Sequence, residues 1–226
     1  MGSSINALIP AAIPGSTLAA ARLAGNESLA VFRALLAAAA RPGKPVALDA
    51  DLIETLPAAL LAPLALVDLD HVIAVLGDDV AEAGWASLIA AATDARLTDV
   101  LGEADVVIAR RSPTAEEIGA LRTGSALLPE AGARLFIACH AVTTLGPTTE
   151  QSKSGSIRFR VSGPGASTPR VVEIAGVCSD LPAAIAAANS AFPAGIDVWF
   201  IDDAGTVVAI PRSSLIIPDA SSEGGH

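Results

Sequence analysis

The sequence predicts a three-layer α/β/α sandwich built on a mixed sheet. Through the first half, short apolar runs alternate with helical stretches, as parallel strands and their crossover helices do. Toward the end, apolar runs lie close together around Gly and Asp, the mark of hairpins. The clearest hairpin joins residues 196–201 and 206–210 across Asp202-Asp203-Ala204-Gly205. Pro211 cannot donate to a ladder, so it closes the second of these runs.

Each element has its own signal. Residues 1–15 are punctuated by Gly, Ser and Pro and read as an arm. Asn26-Glu27 supplies an N-cap and a first-turn acid, Leu29, Phe32, Leu35, Leu36 and Ala39 follow at helical spacing, and Arg41-Pro42-Gly43 ends the helix. Residues 45–48 form a short strand, 56–68 a helix bent near Pro63, and 72–76 a buried strand that stops at Gly77-Asp78-Asp79. A helix over 84–94, a strand over 104–109 and a helix over 114–122 come next, the last opening on the capping box Thr114-x-x-Glu117. Thr123-Gly124, Pro129 and Gly132 punctuate a loop. Residues 135–142 and 157–161 read as two strands of a hairpin joined by the polar loop 143–155. In the second, Ile157, Phe159 and Val161 alternate with Arg158 and Arg160, which predicts one buried and one wet face. Ser162-Gly163-Pro164-Gly165 is a tight turn, 171–174 a further strand, and 180–189 a helix ending in a C-cap at Asn189. The tail after Ile217 reads as disordered, which leaves one domain, 1–226, with an ordered core over about 17–217.

Composition narrows the function. The chain is 52% apolar and 17% charged, and its net charge is −10. An acidic surface without a basic stripe repels a phosphate backbone, which argues against nucleic-acid binding. No run of 18 apolar residues occurs and no basic region precedes the N-terminal apolar stretch, so neither a membrane span nor a signal peptide is expected. Two cysteines, Cys139 and Cys178, do not make a disulfide framework, and the cytoplasm is the default compartment. So few polar side chains leave apolar surface over, and such surface becomes an interface. Oligomerisation or membership of a complex is expected.

No complete catalytic constellation is visible. Asp68, Asp70 and His71 lack a fourth metal ligand elsewhere and read as a polar strand entrance. Cys139 and His140 are neighbours in a strand, point to opposite faces and cannot pair with each other. Gly163-Pro164-Gly165 can cradle a phosphate, but no GK[ST] follows it and a turn is the simpler reading. Arg110-Arg111 follows a strand end, where ligands bind in open α/β sheets, and is the first choice for an anion. Asp197 and Arg212 bound the last hairpin and can pair or cap loops. The candidate ligand-binding residues are therefore Arg110, Arg111, Gly163, Gly165, Asp197 and Arg212, with no catalytic and no metal-binding residue.

Four segments, in order, resemble the PhnH family, the H subunit of the bacterial carbon–phosphorus lyase system. They are Phe32-Arg33-Ala34-Leu35-Leu36 running into Arg41-Pro42-Gly43, and Gly124-Ser125 with Pro129-Glu130. The others are Val161-Ser162-Gly163-Pro164-Gly165, and Phe192-Pro193-Ala194-Gly195-Ile196-Asp197 with Ile210-Pro211-Arg212-Ser213. The resemblance spans residues 26–217. It implies a homodimer that joins PhnG, PhnI and PhnJ in a core complex. That assembly transfers an alkylphosphonate to the ribose C1′ of ATP and expels adenine, before a radical enzyme cleaves the carbon–phosphorus bond. The resemblance also implies a fold similar to the large domain of pyridoxal-phosphate-dependent transferases, without that cofactor. The residues agree: an internal aldimine needs a lysine, and Lys44 and Lys153 both sit in turn-like text. ATP and an alkylphosphonate are the substrates implied for the complex. The alternative is a stand-alone α/β enzyme that uses its arginines on a small anionic metabolite.

Overall fold

In a computed structural model, residues 21–77, 84–145 and 155–218 are described. The element order is α1 (Gly25–Ala39), β1 (Val46–Ala47), α2 (Ala50–Ile53), α3 (Ala58–Leu66), β2 (Val72–Leu76), α4 (Trp85–Thr93), β3 (Arg96–Leu97) and β4 (Val106–Ala109). There follow α5 (Ala115–Gly119), β5 (Arg134–Cys139), β6 (Ala141–Leu145), β7 (Ser156–Gly163), β8 (Ala166–Ala175), α6 (Leu181–Ala188), β9 (Asp197–Asp202), β10 (Thr206–Ile210) and β11 (Leu215–Pro218).

The central sheet has seven strands in the order β1-β10-β9-β5-β4-β2-β3. From β9 to β3 every neighbour is parallel, and β10 and β1 add an antiparallel border. It is the mixed sheet that the sequence predicts. Its inner strands are buried on both faces, so they read as unbroken apolar runs such as Val106–Ala109. On one face lie α1, α3 and α4, with Val31, Leu35, Leu61, Ile89, Phe136 and Trp199 in one core. Phe136 stacks on Trp199 at 5.0 Å between centroids, and the Trp199 indole N–H donates to the Leu35 carbonyl at 3.2 Å.

The opposite face departs from the expected helical layer. α5 and α6 share it with a second, antiparallel sheet of order β11-β7-β8-β6. The run expected as one strand over 135–142 breaks at His140: β5 stays in the central sheet and β6 crosses into the second one, where it pairs with β8. Loop 146–154 lies outside the described residues, and the expected hairpin partner of β5 pairs instead with β8 and β11. Phe159 meets Phe200 at 6.4 Å and ties the two sheets together. Residues 215–218, which carried no strand signal in the sequence, form the edge strand of the second sheet.

Local chemistry explains several boundaries. The first helix is capped at Ala24 rather than Asn26, because the Glu27 carboxylate reaches back to the Ala24 N–H at 2.6 Å. The Thr114–Glu117 capping box forms as expected. Arg158, expected on a wet face, is buried because β7–β8 pairing sets it opposite Glu173, whose carboxylate it meets at 3.0 Å.

Candidate functional site

The four inner parallel strands β2, β4, β5 and β9 end on one edge of the central sheet, and the residues just beyond them are Gly77, Arg110-Arg111, His140 and Asp203. Pairing of Cys139 with Asp202 in the β5–β9 register sets His140 beside Asp203. The helix after β2 packs on one face of the sheet and the helix after β4 on the other. A crevice opens where the winding reverses in this way, outside the carboxyl ends of the strands. It is a cleft of about 460 Å³. Trp85, Arg110, Arg111, His140, Asp202 and Asp203 line it, together with Pro57-Ala58-Ala59 at the start of α3.

Several of the polar groups there are already engaged. The Arg110 guanidinium lies 5.0 Å from the centre of the Trp85 ring, a cation–π contact at the start of α4. Arg111 is held in a fork by Glu117, with contacts of 2.8 and 2.6 Å. That pairing, with the Thr114 N–H adding to it, holds the Glu117 carboxyl down at about 2. Asp202 is buried and accepts from the backbone N–H groups of Val142, Ala204 and Thr206. It therefore fixes the β9–β10 turn. Cys139 is buried beside it, and burial, with Asp202 and Asp203 adding to it, pushes its thiol up to about 12. Such a thiol stays protonated and is no nucleophile.

Two side chains in the cleft make no hydrogen bond or ion pair among the described residues: His140 and Asp203. Both are exposed. A Cβ at Gly176 would come within 2.9 Å of the imidazole, so the absence of one there lets the His140 ring lie against the backbone. These two groups can accept, donate or move a proton for a ligand in the cleft.

The six candidate residues from sequence fall in three places. Arg110 and Arg111 line the carboxyl-edge cleft, Arg111 with its charge already paired. Asp197 and Arg212 lie at the opposite edge, where Arg212 Nη2 meets Asp197 Oδ2 at 2.6 Å and its backbone N–H meets Asp197 Oδ1 at 2.8 Å. A further guanidinium N–H donates to the Pro129 carbonyl. Gly163 lines a groove beside Arg212. Gly165, at φ 82°, lets the β7–β8 turn press on the stop of α1: a Cβ there would fall 2.2 Å from the Ala40 carbonyl oxygen. Asp68 and His71 bond to each other at 2.7 Å at the entrance to β2. Among the described residues no cluster of three metal-ligating side chains occurs. Sequence reasoning singled out His140 without a role and passed over Trp85 and Asp203. Their signal is position, Trp85 at a helix start and Asp203 one step beyond a strand end.

Fold and cleft define an α/β protein of the open-sheet class, whose carboxyl edge presents a polar crevice without an assembled nucleophile–base pair among the described residues. The chain belongs to the PhnH family of bacterial phosphonate metabolism proteins, which it matches over residues 23–216. No curated protein matches it.

Proposed function

We propose that this protein is the H-type subunit of a carbon–phosphorus lyase core complex. In that role it supports transfer of an alkylphosphonate to the ribose C1′ of ATP with release of adenine. The observation that carries the reading is the family match over residues 23–216. Two structural features support a subunit over a stand-alone enzyme. The outer face of α1 carries Leu29, Phe32 and Leu36, exposed by 45%, 44% and 56% at positions i, i+3 and i+7. That stripe is an apolar surface of the kind partner subunits cover. The cleft, for its part, holds a protonated thiol, a carboxylate used by backbone and an arginine used by Glu117.

A homodimer, with PhnG, PhnI and PhnJ as further partners in the cytoplasm, completes the proposal. No helix of the described residues is long and apolar enough to cross a membrane. We also propose a three-layer relation to the large domain of pyridoxal-phosphate-dependent transferases, with the cofactor dispensed with. Lys44 is exposed on the turn after α1 and is not part of the cleft lining, while Lys153 falls outside the described residues.

Deleting the gene from its host tests the function. Growth on an alkylphosphonate as sole phosphorus source should stop while growth on phosphate continues. Unimpaired growth on the phosphonate would reject the proposal.

A further inference from the structure

The chain as a whole has 24 carboxylates to 14 cations, yet the stretch 28–48 holds Arg33, Arg41 and Lys44 and no carboxylate. It covers most of α1, the turn that stops the helix, and β1. Leu29, Arg33, Leu36 and Ala40 recur at i, i+4, i+7 and i+11, and all four are exposed. They therefore form one line along the outward face, with exposed Phe32 beside it. The acid of α1, Glu27, has its carboxylate committed to the Ala24 N–H. Arg33, Arg41 and Lys44 are exposed, and their side chains make no hydrogen bond or ion pair among the described residues.

This surface is held in place. The Arg41 carbonyl accepts the Lys44 N–H at 2.9 Å across Pro42-Gly43, with Gly43 at φ 72°. Such a turn keeps the Cα atoms of Arg41 and Lys44 within about 7 Å of each other. From the second sheet, the Arg170 guanidinium donates to the Pro42 carbonyl and the Thr144 hydroxyl to the Gly43 carbonyl. The Gly43 N–H donates to the Ala209 carbonyl at 3.1 Å. Behind the exposed stripe, Val31, Leu35 and Ala38 are buried in the core. Apolar anchors and cations thus stand on a rigid backbone, which lowers the ordering cost of binding.

The charges decide what covers the stripe. In an isologous contact, a two-fold axis at the middle of the stripe sets Arg33 against its own counterpart. No carboxylate on either face relieves that repulsion, so a second copy fits poorly. We propose that the outward face of α1 and the turn at its end dock an acidic amphipathic segment of a different subunit. Its apolar side chains lie on Leu29, Phe32 and Leu36, and its carboxylates meet Arg33, Arg41 and Lys44. The chemistry of that segment rests on this surface, and its source in the other core subunits rests on the function proposed above.

The test titrates the full chain into the remaining core subunits, purified together without it, by calorimetry at about 0.1 and about 0.5 M salt. Arg33→Glu and Lys44→Glu should each weaken binding by about fivefold, and by more than about tenfold when combined. Arg96→Glu makes the same charge change on exposed β3, at the opposite border of the central sheet, and should bind within about twofold of the parent. All variants should keep the parent's circular dichroism. The parent should lose affinity several-fold at the higher salt, whereas the double variant should be nearly indifferent to it. Reversals that bind as well as Arg96→Glu, or a parent indifferent to salt, overturn the surface. Light scattering on the chain alone tests the other occupant: reversals that change its self-association but not its binding to the other subunits would assign the face to a second copy. A parent that binds no core subunit rejects the subunit role as well, whereas a parent that binds regardless of the reversals rejects the docking surface alone.

Discussion

The two edges of the central sheet carry similar charged side chains under opposite conditions. At the amino edge Asp197 and Arg212 are locked together and to the Pro129 carbonyl, and Asp105 accepts both the Val72 N–H and the Arg122 guanidinium. At the carboxyl edge His140 and Asp203 stand exposed without a protein partner among the described residues. Residue type alone does not separate a structural pair from a functional one. What separates them is whether the backbone around the side chain already uses its hydrogen-bonding capacity.

The largest expected effect breaks the amino edge. Arg212→Ala leaves the part-buried Asp197 carboxylate with only the backbone N–H of residue 212 and takes the guanidinium from the Pro129 carbonyl, and should lower stability by about 2–4 kcal/mol in chemical denaturation. A loss under about 0.5 kcal/mol would show that the lock is ornamental.

A smaller effect comes from Glu117, whose folded value lies near 2 against an ordinary 4.5. A lowered carboxyl stabilises the fold fully above the unfolded value. That contribution fades as pH falls from about 4.5 toward 2. Glu117→Gln should therefore lower stability by about 1 kcal/mol at neutral pH, discounted because the Arg111 partner is half exposed. The difference between variant and parent should vanish by about pH 2. A difference independent of pH would assign the effect to packing.

At the carboxyl edge, His140→Ala and Asp203→Asn should each change stability by less than about 0.5 kcal/mol in the same denaturation assay. Phosphonate-dependent growth should nonetheless suffer if the cleft holds a ligand. The smallest effect concerns thiol labelling at pH 8. Cys178 is exposed and should react quickly, whereas buried Cys139, with its thiol up at about 12, should react only on unfolding. Rapid labelling in a Cys178→Ser variant would contradict that assignment.

Much of the central sheet was legible because its signals are local. The Val72–Leu76 run, the Thr114–Glu117 box and the hairpin of β9 and β10 need only neighbouring residues to be read. The second sheet was not, because β6 continues directly from β5 across His140 and period-two text does not record a change of sheet. Arg158 looked solvated because alternation ignores the partner strand, and only the register with Glu173 reveals its burial. At the candidate site Arg110 was legible as a charge after a strand. Asp203 and Trp85 needed the strand order, which brings positions more than a hundred residues apart to one edge.

The most direct test of the subunit assignment is native mass spectrometry of the chain purified after co-expression with its genomic neighbours. The account predicts a stoichiometric assembly containing at least two copies of this chain and the other core subunits. The assembly should be weakened by Leu29→Ser together with Phe32→Ser on the exposed α1 stripe. A lone monomer that turns over a small anionic metabolite unaided would contradict it.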